Sequence, residues 1–286
     1  MKEYATMTLV AIWVQQHRTL SELVAVSDSR ISGGESWDSC PKIVPLPRPA
    51  TAIAMSGDAT VAYAFQLQAI NACLLLDGNE NGRMDIGYLA RKLKDVYDNS
   101  RRNVGDLPVG QTTADIPELD VVLFGWSWRR LSYEAYSFRY VRNGVLEMRM
   151  IHAHNSLHPY GVYFAGDAKD EAKIRLGQII KNRNPEACIK SRSNFHNSKL
   201  RWEPLDVLLS MINDPEVRTV GGVPQIMKIY QYGLHETFVW RAGSKDYFGG
   251  RELGDAERFD RRIASVTGGQ VRLQYSDRSI ANESNR

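Results

Sequence analysis

Cysteine is scarce in this chain, and neither sign of charge is in real excess. The three cysteines among 286 residues, Cys40, Cys73 and Cys188, are widely spaced and odd in number. That pattern fits neither a disulfide framework nor the paired spacing of a zinc site, so a reducing, cytoplasmic setting is expected. No run of about 18 apolar residues occurs, which removes a membrane helix from the expectation. Met1 to Thr8 also lacks the basic-then-apolar order of a signal peptide. Lys and Arg number 36 against 33 Asp and Glu, a formal charge of +3. Spread over this length, such a charge leaves no footprint for nucleic acid. No internal repeat with a period of about 20 to 50 residues is visible, and no cofactor-binding motif stands out.

What is present is enough apolar residue, 43% of the chain, for a sizeable core. Thr8 to Val14 and Leu23 to Ser27 are dense in β-branched and aromatic residues and flank a polar run, which predicts an N-terminal β-hairpin. A strand is expected over Thr51 to Met55, ended by Gly57, with Asp58 placed to cap a helix. Ala59 to Leu76 is apolar nearly all round, the signature of a buried helix, whereas Asp85 to Arg102 is amphipathic. Further strands are expected over Leu119 to Trp126, Leu131 to Arg139, Val145 to Ile151 and Gly161 to Ala165. Lys169 to Ile180 and Pro204 to Ile212 read as helices, and Val223 to Tyr230 and Glu236 to Trp240 as the last strands.

Between the later helices, Lys181 to Arg201 carries six Lys and Arg against Glu186 alone and reads as a solvated insertion loop. Gly249 to Arg286 is polar, of mixed charge and weak periodicity, and reads as a tail with at most local structure beyond a domain of residues 1–248. Clustered strands bracketing pairs of helices argue for an α+β fold rather than for βαβ alternation. Two antiparallel sheets face to face, with helices outside, is the simplest arrangement.

Several residues are candidates for chemistry. A threonine hydroxyl holds its proton too tightly to be a good nucleophile, and a free α-amino group with a pKa near about 8 can take it. A buried lysine lowers the cost of the developing alkoxide, and a carboxylate fixes the lysine. Asp28 and Lys42 suit these roles, though Asp28 alone could anchor a turn and Lys42 alone could be a surface lysine. Gly57 ends a strand before a helix, where a backbone N–H is a ready oxyanion donor and a glycine lets substrate come close. On its own it would be a turn. His152, His154 and His158 alternate as metal ligands on a strand would, but such a cluster is more often a solvated strand end, and no metal is expected. Trp126 and Trp128 read as packing residues.

The strings TLVAIWV, VAVSDSRISGG, PKIVPL and AIAMSGDATVAYAFQLQAI together resemble the opening of proteasome β-subunits and their bacterial two-ring and Anbu-type relatives. The resemblance covers roughly residues 6 to 77; downstream, FAGDAKDEA and VGGVPQIMKI match in part. It implies the four-layer αββα sandwich of the N-terminal-nucleophile (Ntn) hydrolases and a threonine peptidase or amidohydrolase acting on a peptide or protein. It implies self-association into a ring or open ring, and it leaves room for an unfoldase partner. Asp28, Lys42 and Gly57 fall at spacings that closely match the family's catalytic positions; Thr8 and Thr6 both lie near the expected nucleophile position, and Thr8 is preferred. Thr8 becomes N-terminal if synthesis starts at Met7 and that Met is removed; Thr6 requires removal of Met1 to Ala5. Matching the strand register to the family places position one at Met7 or Thr6, so a one-residue shift is in play, and such a shift turns a side chain to the opposite face.

Departures from the family pattern point to an alternative, a catalytically inactive scaffold or binding subunit. Asp167 replaces a serine between Gly166 and Ala168. Val217 and Val220 stand where the family carries an Asp and a Ser, with Glu216 and Thr219 nearby.

Overall fold

The β-branched run near the start of the chain becomes strand β1 (Val10–Gln16), which folds back antiparallel on β2 (Ser21–Ser27). The structure, a computed structural model, describes residues 8–17, 20–32, 35–79, 81, 83–105, 107, 109–110, 115–141, 144–151, 159–183, 199–257 and 262–275. After β2 come a short ribbon of β3 (Ile31–Ser32) and β4 (Ser36–Trp37), then β5 (Ile43–Pro45) and β6 (Thr51–Gly57). Helices α1 (Ala59–Leu75) and α2 (Ile86–Arg101) follow, then β7 (Leu119–Ser127), β8 (Ser132–Tyr140), β9 (Leu146–Met150) and β10 (Val162–Ala165). Helices α3 (Lys169–Arg183) and α4 (Glu203–Ile212) precede β11 (Gln225–Tyr230), β12 (His235–Thr237), β13 (Val239–Ala242) and β14 (Lys245–Phe248). Three strands close the order: β15 (Arg251–Glu252), β16 (Arg262–Thr267) and β17 (Gln270–Tyr275).

The chain is thus a mixed α+β fold with largely antiparallel sheets. One sheet runs β10-β1-β2-β11-β12 and a second β5-β6-β7-β8-β9. Because side chains alternate along a strand, β1 sends Ala11 and Trp13 to one face and Val10, Ile12 and Val14 to the other. The first set joins a cluster with Ala172, Leu176 and Ile180 of α3 and Leu205 and Leu208 of α4. The second set meets Ala52, Ala54, Val122 and Phe124 of the other sheet. That sheet turns Ile53, Met55, Val121 and Phe138 to Phe65 and Ala69 of α1 and Leu89 and Leu93 of α2. A strand covered on both faces needs a continuous apolar run, which is why TLVAIWV shows no polar alternation. Each such side chain contributes about 1.5–3 kcal/mol by leaving water.

Helix α1 departs from its expectation. Asp58 caps it as anticipated, its Oδ1 accepting the Thr60 N–H at 2.9 Å. Only one face is covered, however, by the second sheet and α2, while Leu67, Leu74 and Leu75 face solvent.

The segment expected as a tail also differs. Residues 251–275 hold three strands of a third sheet, ordered β15-β14-β13-β16-β17, in which β16 pairs parallel with β13. Ile263 and Ala264 are fully buried, which a solvated tail could not offer. Gly268 and Gly269, both at positive φ, turn the β16–β17 hairpin. The strand expected over Glu236 to Trp240 is broken at Phe238 into β12 and β13.

Of the basic stretch 181–201, Lys181–Arg183 close α3 and residues 184–198 lie outside the described set, as do Thr6, Cys188 and the three clustered histidines. Cys40 and Cys73 are buried free thiols. No helix among the described residues is long and apolar enough to cross a membrane.

Candidate active site

Thr8 stands two residues before the first residue of β1, and its position is set by the residues around it. Asp28, just past the end of β2, accepts the Leu9 N–H on Oδ1 at 3.1 Å, while its own N–H donates to the Leu9 carbonyl at 3.3 Å. Asp28 therefore clamps the start of β1 through both side chain and backbone. Its other oxygen, Oδ2, accepts the N–H groups of Arg30 and Gly221, each at 3.1 Å. Three backbone donors around one buried carboxylate are enough to hold an ionised group out of water.

Lys42 completes the cluster. It lies between β4 and β5, and its Nζ donates to Asp28 Oδ1 at 2.9 Å and to Thr8 Oγ1 at 2.7 Å. Only 1% of Lys42 is exposed and none of Asp28, so the surface-lysine alternative is removed. Burial pulls the Lys42 ammonium below its ordinary pKa, and the charge of Asp28 acts against that pull. A hydroxyl, an ammonium and a carboxylate in line, taken from water, are equipped to stabilise negative charge forming on the Thr8 oxygen.

Gly166 stands against Thr8, and Gly57 shares a cleft with Gly166. Both line a cleft of about 690 Å³ together with Ser56, Asp167, Asp120 and Arg139. Gly166 has φ +99, and a Cβ there would fall 1.7 Å from the Thr8 carbonyl oxygen, so only glycine lets the strand-to-helix turn lie against Thr8. Gly57 likewise has φ +99, and a Cβ would meet the Glu118 carbonyl oxygen at 2.3 Å. The backbone at this strand end is therefore committed to glycine. Across the cleft, the Asp120 carboxylate accepts from Arg139 and from the Tyr163 hydroxyl.

Of the residues singled out by sequence, Lys42 bonds to both Thr8 and Asp28, and Gly57 lines the cleft that it shares with Gly166. Thr6 lies outside the described residues. Asp167 lines the cleft next to Gly166, the turn that abuts Thr8. Val220 is buried in the apolar cluster beneath α3 and α4, and Val217 packs against that cluster. Gly221 and Gly222 reach the site by close approach: a Cβ on Gly222 would lie 2.2 Å from Ser29 Oγ.

Sequence reasoning missed Gln225. Its Oε1 accepts the N–H of Lys42 at 3.0 Å, and its Nε2 donates to the carbonyls of Cys40 at 2.7 Å and Asp28 at 3.4 Å. One side-chain amide thus ties together the backbones that carry the acid and the lysine. Its only sequence signal was a polar residue at the start of a largely apolar strand. No family model and no curated protein matches the chain.

Proposed function

We propose that this chain is a proteasome β-subunit-like Ntn hydrolase that cleaves peptide or other amide bonds with Thr8 as nucleophile. The observation that carries the reading is the buried line Thr8 Oγ1, Lys42 Nζ, Asp28 Oδ1, with contacts of 2.7 and 2.9 Å. The helix, sheet, sheet, helix succession of the three apolar clusters supports the αββα sandwich of that class. With Thr8 as first residue, its α-amine takes the hydroxyl proton as Oγ1 attacks the amide carbon. The amine then gives the proton to the departing nitrogen, leaving an ester on Thr8. Water, deprotonated by the same amine, hydrolyses that ester and restores the hydroxyl. Lys42 holds charge at Oγ1 throughout, and the cleft beside Gly57 and Gly166 receives the substrate. Assembly into a ring or open ring, with room for an unfoldase, belongs to the same reading.

The second reading, a scaffold that keeps the fold without turnover, is favoured by Val220, which turns an apolar side chain into the core where the family has a polar partner for the amine. Intact-protein mass spectrometry paired with hydrolysis of a fluorogenic peptide separates the two. Material whose chains begin at Thr8 should turn over, and Thr8→Ala should abolish turnover without loss of fold. Hydrolysis by chains that wholly retain Met1 would sink the mechanism, because an amide nitrogen has no basic lone pair to accept the proton. Thr8-initiated chains without activity would establish the scaffold.

A further inference from the structure

Helix α1 has two apolar faces, and the fold covers one. Ala62, Phe65, Ala69 and Cys73 are buried against the second sheet and α2. On the outer side Ala64, Leu67, Asn71 and Leu74 are all exposed, Leu67 by 59% and Leu74 by 56%. Their spacing of three, four and three residues is that of successive a and d positions in a heptad. They make one seam about 15 Å long, and Leu75, 85% exposed, extends it.

Two features say what covers this seam. None of the 17 residues of α1 is charged, whereas solvated helix faces are ordinarily rich in charge; neighbouring α2 exposes Arg91 and Asp95. A face without charge offers nothing to a charged partner and does not repel itself. The composition of the seam is also self-complementary. Leucine fills both d positions, alanine at one a position allows close approach, and asparagine occupies the other. An amide carries donors and an acceptor together, so it can bond to its own symmetry mate, and a single asparagine at an a position fixes register in a helix pair.

We infer that the outer face of α1 is a homotypic interface, covered by α1 of a second copy of this chain. The two helices run parallel about a two-fold axis that lies along the pair, so that Leu67 packs against the partner subunit's Leu67, Leu74 against the partner subunit's Leu74, and the two asparagine amides bond across the axis. A two-fold contact is the commonest way identical chains associate. The pairing does not depend on the hydrolase reading: it is read out as mass, not turnover, so either can fail while the other stands.

The test uses the full chain. Sedimentation velocity of the wild type should give an assembly with an even number of chains, and Leu67→Glu/Leu74→Glu should halve that mass with the circular dichroism spectrum unchanged, since each glutamate would be buried unpaired. Asn71→Cys, oxidised, should yield a disulfide joining two chains at position 71 in a peptide map; this arm decides the matter if the double variant misfolds. A monomeric wild type, an unchanged mass in the folded double variant, or the absence of a 71-to-71 link in an oxidised dimer would overturn the interface, as would capture of α1 by a different protein in place of self-association.

Discussion

Gln225 Oε1 accepts the backbone N–H of Lys42 at 3.0 Å although 183 residues separate the two in the chain. The same amide donates to the carbonyls of Cys40 and Asp28, so every donor faces its oxygen and every acceptor its nitrogen. Gln225 acts on the site through the backbone rather than by touching Thr8, which makes it a positioning residue.

Gln225→Leu keeps the approximate volume and removes all of these bonds. Leaving the Lys42 N–H and the Cys40 carbonyl unpaired should destabilise the fold by about 1–3 kcal/mol for each group, measured by urea unfolding. In hydrolytically active material kcat should fall with little change in KM, because the substrate cleft is lined by other residues. A variant with wild-type stability and kcat would remove Gln225 from this role.

Lys42→Ala should cost stability as well as activity, because Lys42 is buried against Asp28. Removing the cation leaves Asp28 as an uncompensated buried charge, and breaking such a pair costs about 3–5 kcal/mol. Lys42→Met, which keeps the stem packed, should show this loss without a large cavity. Adding Asp28→Asn to Lys42→Met should recover part of it, because the charge left alone is then gone. If the double variant is less stable than Lys42→Met, the backbone N–H groups that both Asp28 oxygens accept, one set of which would then face an amide NH2, outweigh the lone charge.

Asp28, Lys42 and Gly57 were singled out because their spacing along one continuous stretch resembles that of proteasome β-subunits, and the fold brings Lys42 and Asp28 into contact. Gln225 was not, since a lone glutamine in a strand has no pattern of its own and its partners are brought to it only by the pairing of β11 with β2. Strands β16 and β17 were read as tail because polar residues dominate the stretch and only Ile263 and Ala264 are fully buried; the Gly268–Gly269 turn was the overlooked hairpin signal. The outer face of α1 was legible as apolar, but burial within the fold was the wrong inference. Periodicity counts apolar faces without saying whether the covering surface belongs to the same chain.

Gly57 and Gly166 share φ +99 but should fail differently. At Gly57, alanine meets the Glu118 carbonyl, so Gly57→Ala should lower the melting temperature through backbone strain of about 1–3 kcal/mol. At Gly166, alanine meets the Thr8 carbonyl, and relief requires Thr8 to move from Lys42. Gly166→Ala should therefore lose turnover far out of proportion to its loss of stability. Equal ratios of lost activity to lost stability in the two variants would contradict the closer tie of Gly166 to Thr8.

Lys42 sets opposite pH dependences for stability and for activity. Burial lowers its pKa in the folded chain from the ordinary 10.5, while an unfolded lysine keeps that value. Between the two pKa values the unfolded chain binds more protons than the folded one, so this site's contribution to stability rises as pH rises through the window. Over the same window the ammonium that donates to Thr8 Oγ1 is being lost, so kcat/KM should fall below the pH at which an ordinary lysine titrates. Lys42→Met should abolish the stability trend, and subtracting its urea-unfolding profile from that of the wild type cancels the other titrating groups common to both. Pairing that difference with the wild-type rate profile gives the check. If turnover climbs through the window, Lys42 works as a neutral amine, a base toward Thr8 rather than a cation holding its oxygen.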